Sequence, residues 1–393
     1  MSGSLNEALQ LEKQILERSK KNPEMFIKLN GEAHNLSRKL RDVMFDEMVK
    51  RGSKRRDLRE MERRLWKTCF YVFIEMFRKD LSLCDEHVQE KDLKAKIDTF
   101  QTFLSEAESF YRKLAERKIS SHSEYRCLVF LGDIARYKQL HSFDYKNNKM
   151  TKTRFKEAEE YYRRALRLDV SFGSAHNQLA VLATYRDANV VATYHYIRAL
   201  YVYRLFPFCN MSQKHLTLKQ QYRYSRTPFT TAHANLRTMF SRTLSKDKST
   251  HVQKQKSKLQ RCMQRFLDMN ASLYFAAESR GKDKKVLDAK RMLATRNRLR
   301  KRFMELLELS EDVEQNVSSS SRDRLQTVVS TSAFLDQLMT ISMFTHHHCR
   351  EAWRKSSFAD RPGLEIAYAH THIAMSDIAS CAARKICAIH HES

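Results

Sequence analysis

The stretch AEEYYRRAL, residues 158–166, decides how this chain reads, because a near copy, ATYHYIRAL, begins at Ala192. Ala158 and Ala192, Tyr162 and Tyr196, Arg164 and Arg198, and Ala165 and Ala199 occupy the same slots, each pair 34 residues apart. Small residues at helical spacing beside one large aromatic make a face against which another helix packs closely. Self-similarity at this period marks stacked helix pairs.

The period is that of a tetratricopeptide unit, and the flanking sequence supplies the partner helices. Leu131, Gly132, Asp133, Ile134 and Ala135 place small residues where the Tyr162 helix must approach; Leu179, Ala180 and Ala183 do the same for the Tyr196 helix. The first pair is longer than a standard unit. His141 to Arg154, rich in Lys, Asn and Ser, reads as an inserted loop, and Ser171 to Ser174 as the turn between pairs, with Ser174 as N-cap.

Composition agrees with an all-α architecture. Only 7 Gly and 4 Pro occur in 393 residues, too few turn residues for a sheet protein of this size. Amphipathic helices are expected over Glu7 to Met48, around Leu65 to Phe77, over Lys91 to Arg117, Thr231 to Leu244, Leu259 to Ala277, Lys284 to Leu309, Thr327 to Trp353 and Leu364 to Ile389. The pattern loosens between Arg204 and Arg226. A first domain over residues 1–245 and a second, of antiparallel helical hairpins, over residues 246–393 are expected.

Seventy-two Lys and Arg against 46 Asp and Glu leave a formal charge of +26, which attracts phosphate-bearing partners or solvates helix faces. No run of about 18 apolar residues and no signal-peptide core occur, so a soluble, cytoplasmic protein, shuttling to the nucleus, is expected. Eight cysteines lack CxxC spacing and read as buried apolar residues. His346, His347, His348 and Cys349, and Cys387 with His390 and His391, are metal-like in composition only: adjacent residues on a helix diverge, so no metal or other cofactor is expected. No phosphate loop, nucleophile elbow or close carboxylate pair appears, and no enzymatic activity is expected.

Residues 126–137, RCLVFLGDIARY, then YYRRAL at 161–166, Gly173 and NQLA at 177–180, and Ala234-Asn235-Leu236, together resemble the SMG and Est-type proteins of nonsense-mediated mRNA decay. The resemblance runs from about Leu65 to Leu236. It implies a 14-3-3-like domain of tetratricopeptide helices, then helical hairpins, in a non-enzymatic adaptor. Residues 65–71, LWKTCFY, look closest to the member that heterodimerises with a phosphopeptide-binding sibling. The implied partners are that paralogous 14-3-3-like factor and a phosphorylated RNA helicase. Full-length members carry a C-terminal nuclease-like domain that nothing here resembles, so the chain reads as a fragment or short form.

The resemblance also assigns residues. Arg136 and Tyr137 match the Arg-Tyr pair that 14-3-3-like domains set on phosphate, whereas Phe70 and Tyr71 stand where the sibling has a phosphate-contacting lysine. Lys67, one turn before Tyr71, is a substitute for that lysine, and Asn177 a holder of peptide backbone. Arg136 has a second reading, a structural bridge to Asp133 or Glu124. Ser109, Phe110 and Tyr111 replace a Gly-Phe-Tyr motif of the heterodimer helix and are the expected partner interface, with Phe110 alternatively in the core. The alternative function is RNA binding through Lys282 to Arg302, with Tyr222 and Tyr224 stacking on bases.

Overall fold

In the computed structural model the residues described are 3–51, 55–83, 90–144, 149–150, 155–170, 172–205, 218–245, 258–278, 297, 321–355, 369 and 371. Apart from one two-residue antiparallel ladder, the regular elements described are all helical. The protein is all-α. The expected helices at Lys284 to Leu309 and Leu364 to Ile389 lie almost wholly outside the described residues, as does the cluster at Cys387, His390 and His391.

The expected helix at Glu7 to Met48 is two helices, α1 (Gly3–Lys21) and α2 (Glu32–Arg51). Pro23 opens a short 3-10 turn, Pro23–Phe26, and Asn30 at φ 66° precedes Gly31, so the chain reverses and α2 folds back on α1. Next come α3 (Arg55–Leu65) and α4 (Val72–Ser82), continuous through a π-helical turn, Trp66–Tyr71. Beyond them α5 (Glu90–Glu116) and α6 (Ser121–Leu140) pack side by side, the latter capped by Ser120, whose hydroxyl accepts from the Ser123 N–H at 3.1 Å.

The inserted loop after α6 holds β1 (Phe143–Asp144) and β2 (Lys149–Met150), with Phe143 opposite Met150. Then α7 (Lys156–Leu168) returns along α6. Phe155 begins it in the left-handed region at φ 52°, a strained conformation that the complete burial of its ring holds in place. Gly132 is the point of closest approach: a Cβ there would sit 2.4 Å from Tyr162 Cε1. This is the use of the small residues that the sequence proposed.

Two compact units result, Met1–Gln178 and Leu179–Ser393. The first is filled by aromatic rings. Phe73 stacks on Phe103 at 5.5 Å, Phe77 on Phe100 at 5.0 Å, and Trp66 lies parallel to Phe130 at 4.5 Å. Glu62, buried on α3, is satisfied by the Ser123 hydroxyl and the Arg126 guanidinium of α6. At the start of α8 (Ser174–Tyr185), the Tyr125 hydroxyl accepts from the Ala175 N–H at 3.0 Å and lies 2.9 Å from Ser174 Oγ. The phenol thus does the capping expected of Ser174, whose own hydroxyl is turned towards it.

In the second unit, α8 ends in a Schellman turn at Asp187, φ 54°, with Ala188 N–H bonded to Ala183 O and Asp187 N–H to Thr184 O. The chain re-enters α9 (Asn189–Leu205), which packs on α10 (Leu218–Ser245). The segment expected to be irregular, from Lys219 to Arg226, is part of α10, and the expected boundary at 245/246 falls within this unit. Ala192, Tyr196 and Ala199 share one core with Leu236 and Phe240 of α10, with Leu273 and Tyr274 of helix Lys258–Glu278, and with Leu338 and Ile341 of helix Ser321–Arg354. The second repeat therefore buries its apolar face against helices that follow it.

Candidate functional site

The site begins with the π-turn. Val72 donates its N–H to Lys67 O, five residues back, which widens the helix by one residue at the point where Phe70 enters the core and Tyr71 stays 42% exposed. From there Tyr71, Glu75 and Arg78 follow at helical spacing along one face of α4. Arg78 Nη1 donates to Glu75 Oε1 at 2.6 Å, with both side chains partly exposed. Its guanidinium carbon stands 5.4 Å from the centroid of the Tyr137 ring on α6.

Arg136 approaches the same ring at 4.3 Å. Two guanidiniums therefore attend one phenol, an arrangement that the quadrupole of the ring favours. Behind them is a buried anchor: Arg136 Nη2 donates to Asp133 Oδ1 at 3.4 Å, and the Tyr162 hydroxyl of α7 donates to the same oxygen at 2.7 Å. Burial pushes the Asp133 carboxyl up, against the opposing pull of Arg136 and the Tyr162 hydroxyl. Burial also works against the charge of Arg136, but Asp133, then Tyr162 and Tyr137, outweigh it, and the guanidinium is held above its ordinary range. Arg136 Nε has no hydrogen-bond partner and is buried.

Of the two readings of Arg136, the bridge to Asp133 is the one seen; Arg136 is only 7% exposed because α5 and α7 cover both flanks of α6. It is a buried cation at the back of the site. Tyr71 belongs to the cluster: burial and then Glu75 push its phenol up, while Arg78 and Arg136 act in the opposite direction. At neutral pH its hydroxyl is uncharged. Lys67 is exposed one turn earlier, and Asn177 is partly exposed near the start of α8 in the same unit. Sequence reasoning missed Arg78, although its spacing of seven from Tyr71 put it on the same helical face.

The expected partner interface is divided. Ser109 is exposed and Phe110 half-buried, its ring 5.4 Å from Phe70 and 6.0 Å from Phe45. Tyr111 is not a surface anchor; it is 1% exposed and packs against Phe70 at 5.0 Å and Phe130 at 5.1 Å. Three consecutive helical residues cannot face one way, and Tyr111 continues the core stripe of Leu104, Ala107 and Leu114.

In the second unit the histidine run diverges as its spacing required. His346 Nδ1 lies 3.0 Å from Thr371 Oγ1, His348 stacks on Tyr274 at 4.4 Å, and Cys349 Sγ points to Leu273 O. Among the described residues no group of three metal-ligating side chains converges, and no helix is long and apolar enough to cross a membrane. Cys69, Cys127 and Cys349 are buried free thiols, with burial pushing Cys69 and Cys349 up to about 12.

Comparison with known proteins gives this arrangement its context. The model of the Est1 DNA/RNA binding domain matches residues 158–207 and 223–384, more than half of the chain, and that of telomerase activating protein Est1 matches residues 60–124. A nonsense-mediated mRNA decay factor SMG7-like protein of Arabidopsis thaliana is 31% identical over 172 residues, covering 42% of this chain and 19% of that protein. The nonsense-mediated mRNA decay factor SMG5 of Danio rerio is 31% identical over 119 residues, 30% of this chain and 8% of that protein. The chain thus spans a small part of the length of these curated relatives. A solved structure described as Est1 and Cdc13 superposes with a TM-score of 0.55 at 12% identity, over 95% of this chain and 70% of that one, which speaks to the fold. Motifs, helical architecture and model matches agree: the chain belongs to the family of the Est1 DNA/RNA binding domain, the SMG and Est-type proteins.

Proposed function

We propose that the chain is a non-enzymatic adaptor of nonsense-mediated mRNA decay that reads a phosphorylated segment of a surveillance RNA helicase at the Arg78–Tyr137–Arg136 cluster and pairs with a paralogous 14-3-3-like protein. The observation that carries this reading is the asymmetry of the two ion pairs. Arg136–Asp133 is buried and fixed, whereas Arg78–Glu75 is partly exposed and worth about 1 kcal/mol or less, so a phosphate dianion readily displaces Glu75 from Arg78. The Tyr71 and Tyr137 hydroxyls then offer neutral donors, and Arg136 adds charge from behind. Cytoplasmic action, with passage through the nucleus, is part of the same proposal.

The test is binding of the full chain to one helicase-derived peptide in phosphorylated and plain forms. A preference for phosphate that disappears in Arg78→Leu supports the reading; equal binding of both peptides refutes it. Pairing is tested by mixing with the sibling and measuring size. Ser109→Arg, on an exposed position, is expected to block the heterodimer and leave stability within about 0.5 kcal/mol of the parent. A heterodimer indifferent to this charge refutes the surface assignment.

A second reading is nucleic-acid binding, favoured by the +26 charge and by the name of the matched domain. Lys282 to Arg302 lie, but for Asn297, outside the described residues, and Tyr222 and Tyr224 lie on α10 with nothing described of their side chains. A steep, sequence-blind salt dependence of RNA affinity that survives Arg78→Leu favours it.

A further inference from the structure

Beside the cluster is a cavity of about 680 Å³ that the phosphate reading does not use. Met76 and Leu81 of α4 and Leu93 and Ile97 of α5 supply apolar walls, and His141, the C-cap residue of α6, closes one side. Glu75, Arg78 and Lys79 line it too. Arg78 therefore borders both the cavity and the Tyr137 ring.

His141 is held rigidly and stays uncharged. Gln101 Nε2 donates to His141 O at 2.8 Å and to Lys138 O at 2.9 Å, and the imidazole lies 5.2 Å from Phe100. Burial, then Arg78, lowers its pKa to about 4, so at neutral pH the wall it forms is neutral. A mainly apolar hollow lined by two basic groups and one acidic group fits a ligand that is aliphatic at one point and anionic at another.

We propose that this cavity receives an aliphatic side chain of the same phosphorylated peptide, two or three residues from the phosphoresidue, and so sets sequence specificity. The proposal rests on the phosphopeptide reading. The spacing follows from the shared arginine: Arg78 lines the cavity and stands 5.4 Å from the Tyr137 ring, a reach of about two residues of an extended peptide, which advances about 3.3 Å per residue. Charge complementarity selects the occupant: Arg78 and Lys79 outweigh Glu75, the partner of Arg78, so the lining carries a net positive charge that disfavours basic flanks and accepts an anionic chain.

The experiment titrates the full chain with phosphopeptides carrying Leu or Ala at each position from two to three residues either side of the phosphoserine. At one position Leu is expected to bind about tenfold more tightly than Ala. Leu93→Glu, on a partly exposed wall position, is expected to erase that difference and keep the preference for phosphate; thermal unfolding of the variant confirms that it is folded. Phosphate-dependent binding with no Leu over Ala preference at any of these positions overturns the proposal and leaves the phosphopeptide reading intact. A Leu preference unchanged in both Leu93→Glu and Leu81→Glu also overturns it. Loss of phosphate dependence in the parent chain overturns both.

Discussion

Replacing Gly132 by alanine tests how the repeat interface and the candidate site depend on each other. In an ordinary exposed helix the change stabilises by about 1 kcal/mol, since glycine is a poor helix former. Here the new Cβ would lie 2.4, 2.7 and 2.8 Å from Cε1, Cδ1 and Cζ of Tyr162, so the ring must retreat by about 1 Å to reach ordinary contact. That ring is fully buried and tethered through its hydroxyl to Asp133 at 2.7 Å, so retreat strains packing and stretches a hydrogen bond to a carboxylate. Overpacking costs about 1–3 kcal/mol and loss of a charged hydrogen bond about 1.5–3 kcal/mol. Set against the propensity gain of about 1 kcal/mol, the net destabilisation is about 1.5–5 kcal/mol. Because Asp133 also holds Arg136, phosphopeptide affinity should fall with it. Urea unfolding measures the first effect and peptide titration the second. The decisive control is the Tyr162→Ala background, where the clash is gone and Gly132→Ala should become stabilising by up to about 1 kcal/mol. A Gly132→Ala variant at least as stable as the parent refutes the reasoning.

Two further outcomes follow from buried charge. Asp133→Ala leaves the Arg136 guanidinium buried without its counter-ion and is expected to cost about 3–5 kcal/mol in chemical unfolding, whereas removing the exposed partner by Glu75→Ala costs about 1 kcal/mol or less; equal costs would show that Arg136 is not buried in solution. His34 has no exposed surface, neither ring nitrogen has a hydrogen-bond partner, and its edge contacts Phe73 and Phe103. Burial, then Arg41, lowers its pKa to about 4 against Glu106, with Arg38 adding to the lowering. The unfolded chain therefore takes the proton first: stability is full above about pH 6.5 and is lost by on the order of 2–3 kcal/mol as pH falls towards 4. Unfolding free energies at pH 7.5 and 4.5 should differ by less in His34→Phe; an unchanged difference refutes the assignment.

Much of this was legible beforehand, and the residues show why. Helices α5, Lys258–Glu278 and Ser321–Arg354 fall close to where apolar periodicity placed them, because a helix that must bury one face writes that face at a period of 3.6. Gly132 and Tyr162 were readable as a close contact because only a missing side chain admits a ring at that distance. For Arg136 the sequence left the bridge and the phosphate contact both open, and for Tyr111 the motif pointed to the interface, since the depth of burial depends on how α5, α6, α7 and the Trp66–Phe130 stack close around each side chain. Arg78 went unnoticed because it has no motif of its own and gains meaning only when α4 lies beside Tyr137.

Local pattern alone therefore determined that this protein is helical, where its repeated pair begins, and that its histidine run diverges, for these depend on backbone periodicity and neighbour spacing within a helix. Tertiary structure alone decided which arginine is buried and which stays partly exposed, where the two units divide, and that the second repeat shares its core with the helices that follow it. Burial and ion pairing are properties of what surrounds a side chain, and those surroundings are assembled from elements that the sequence keeps far apart.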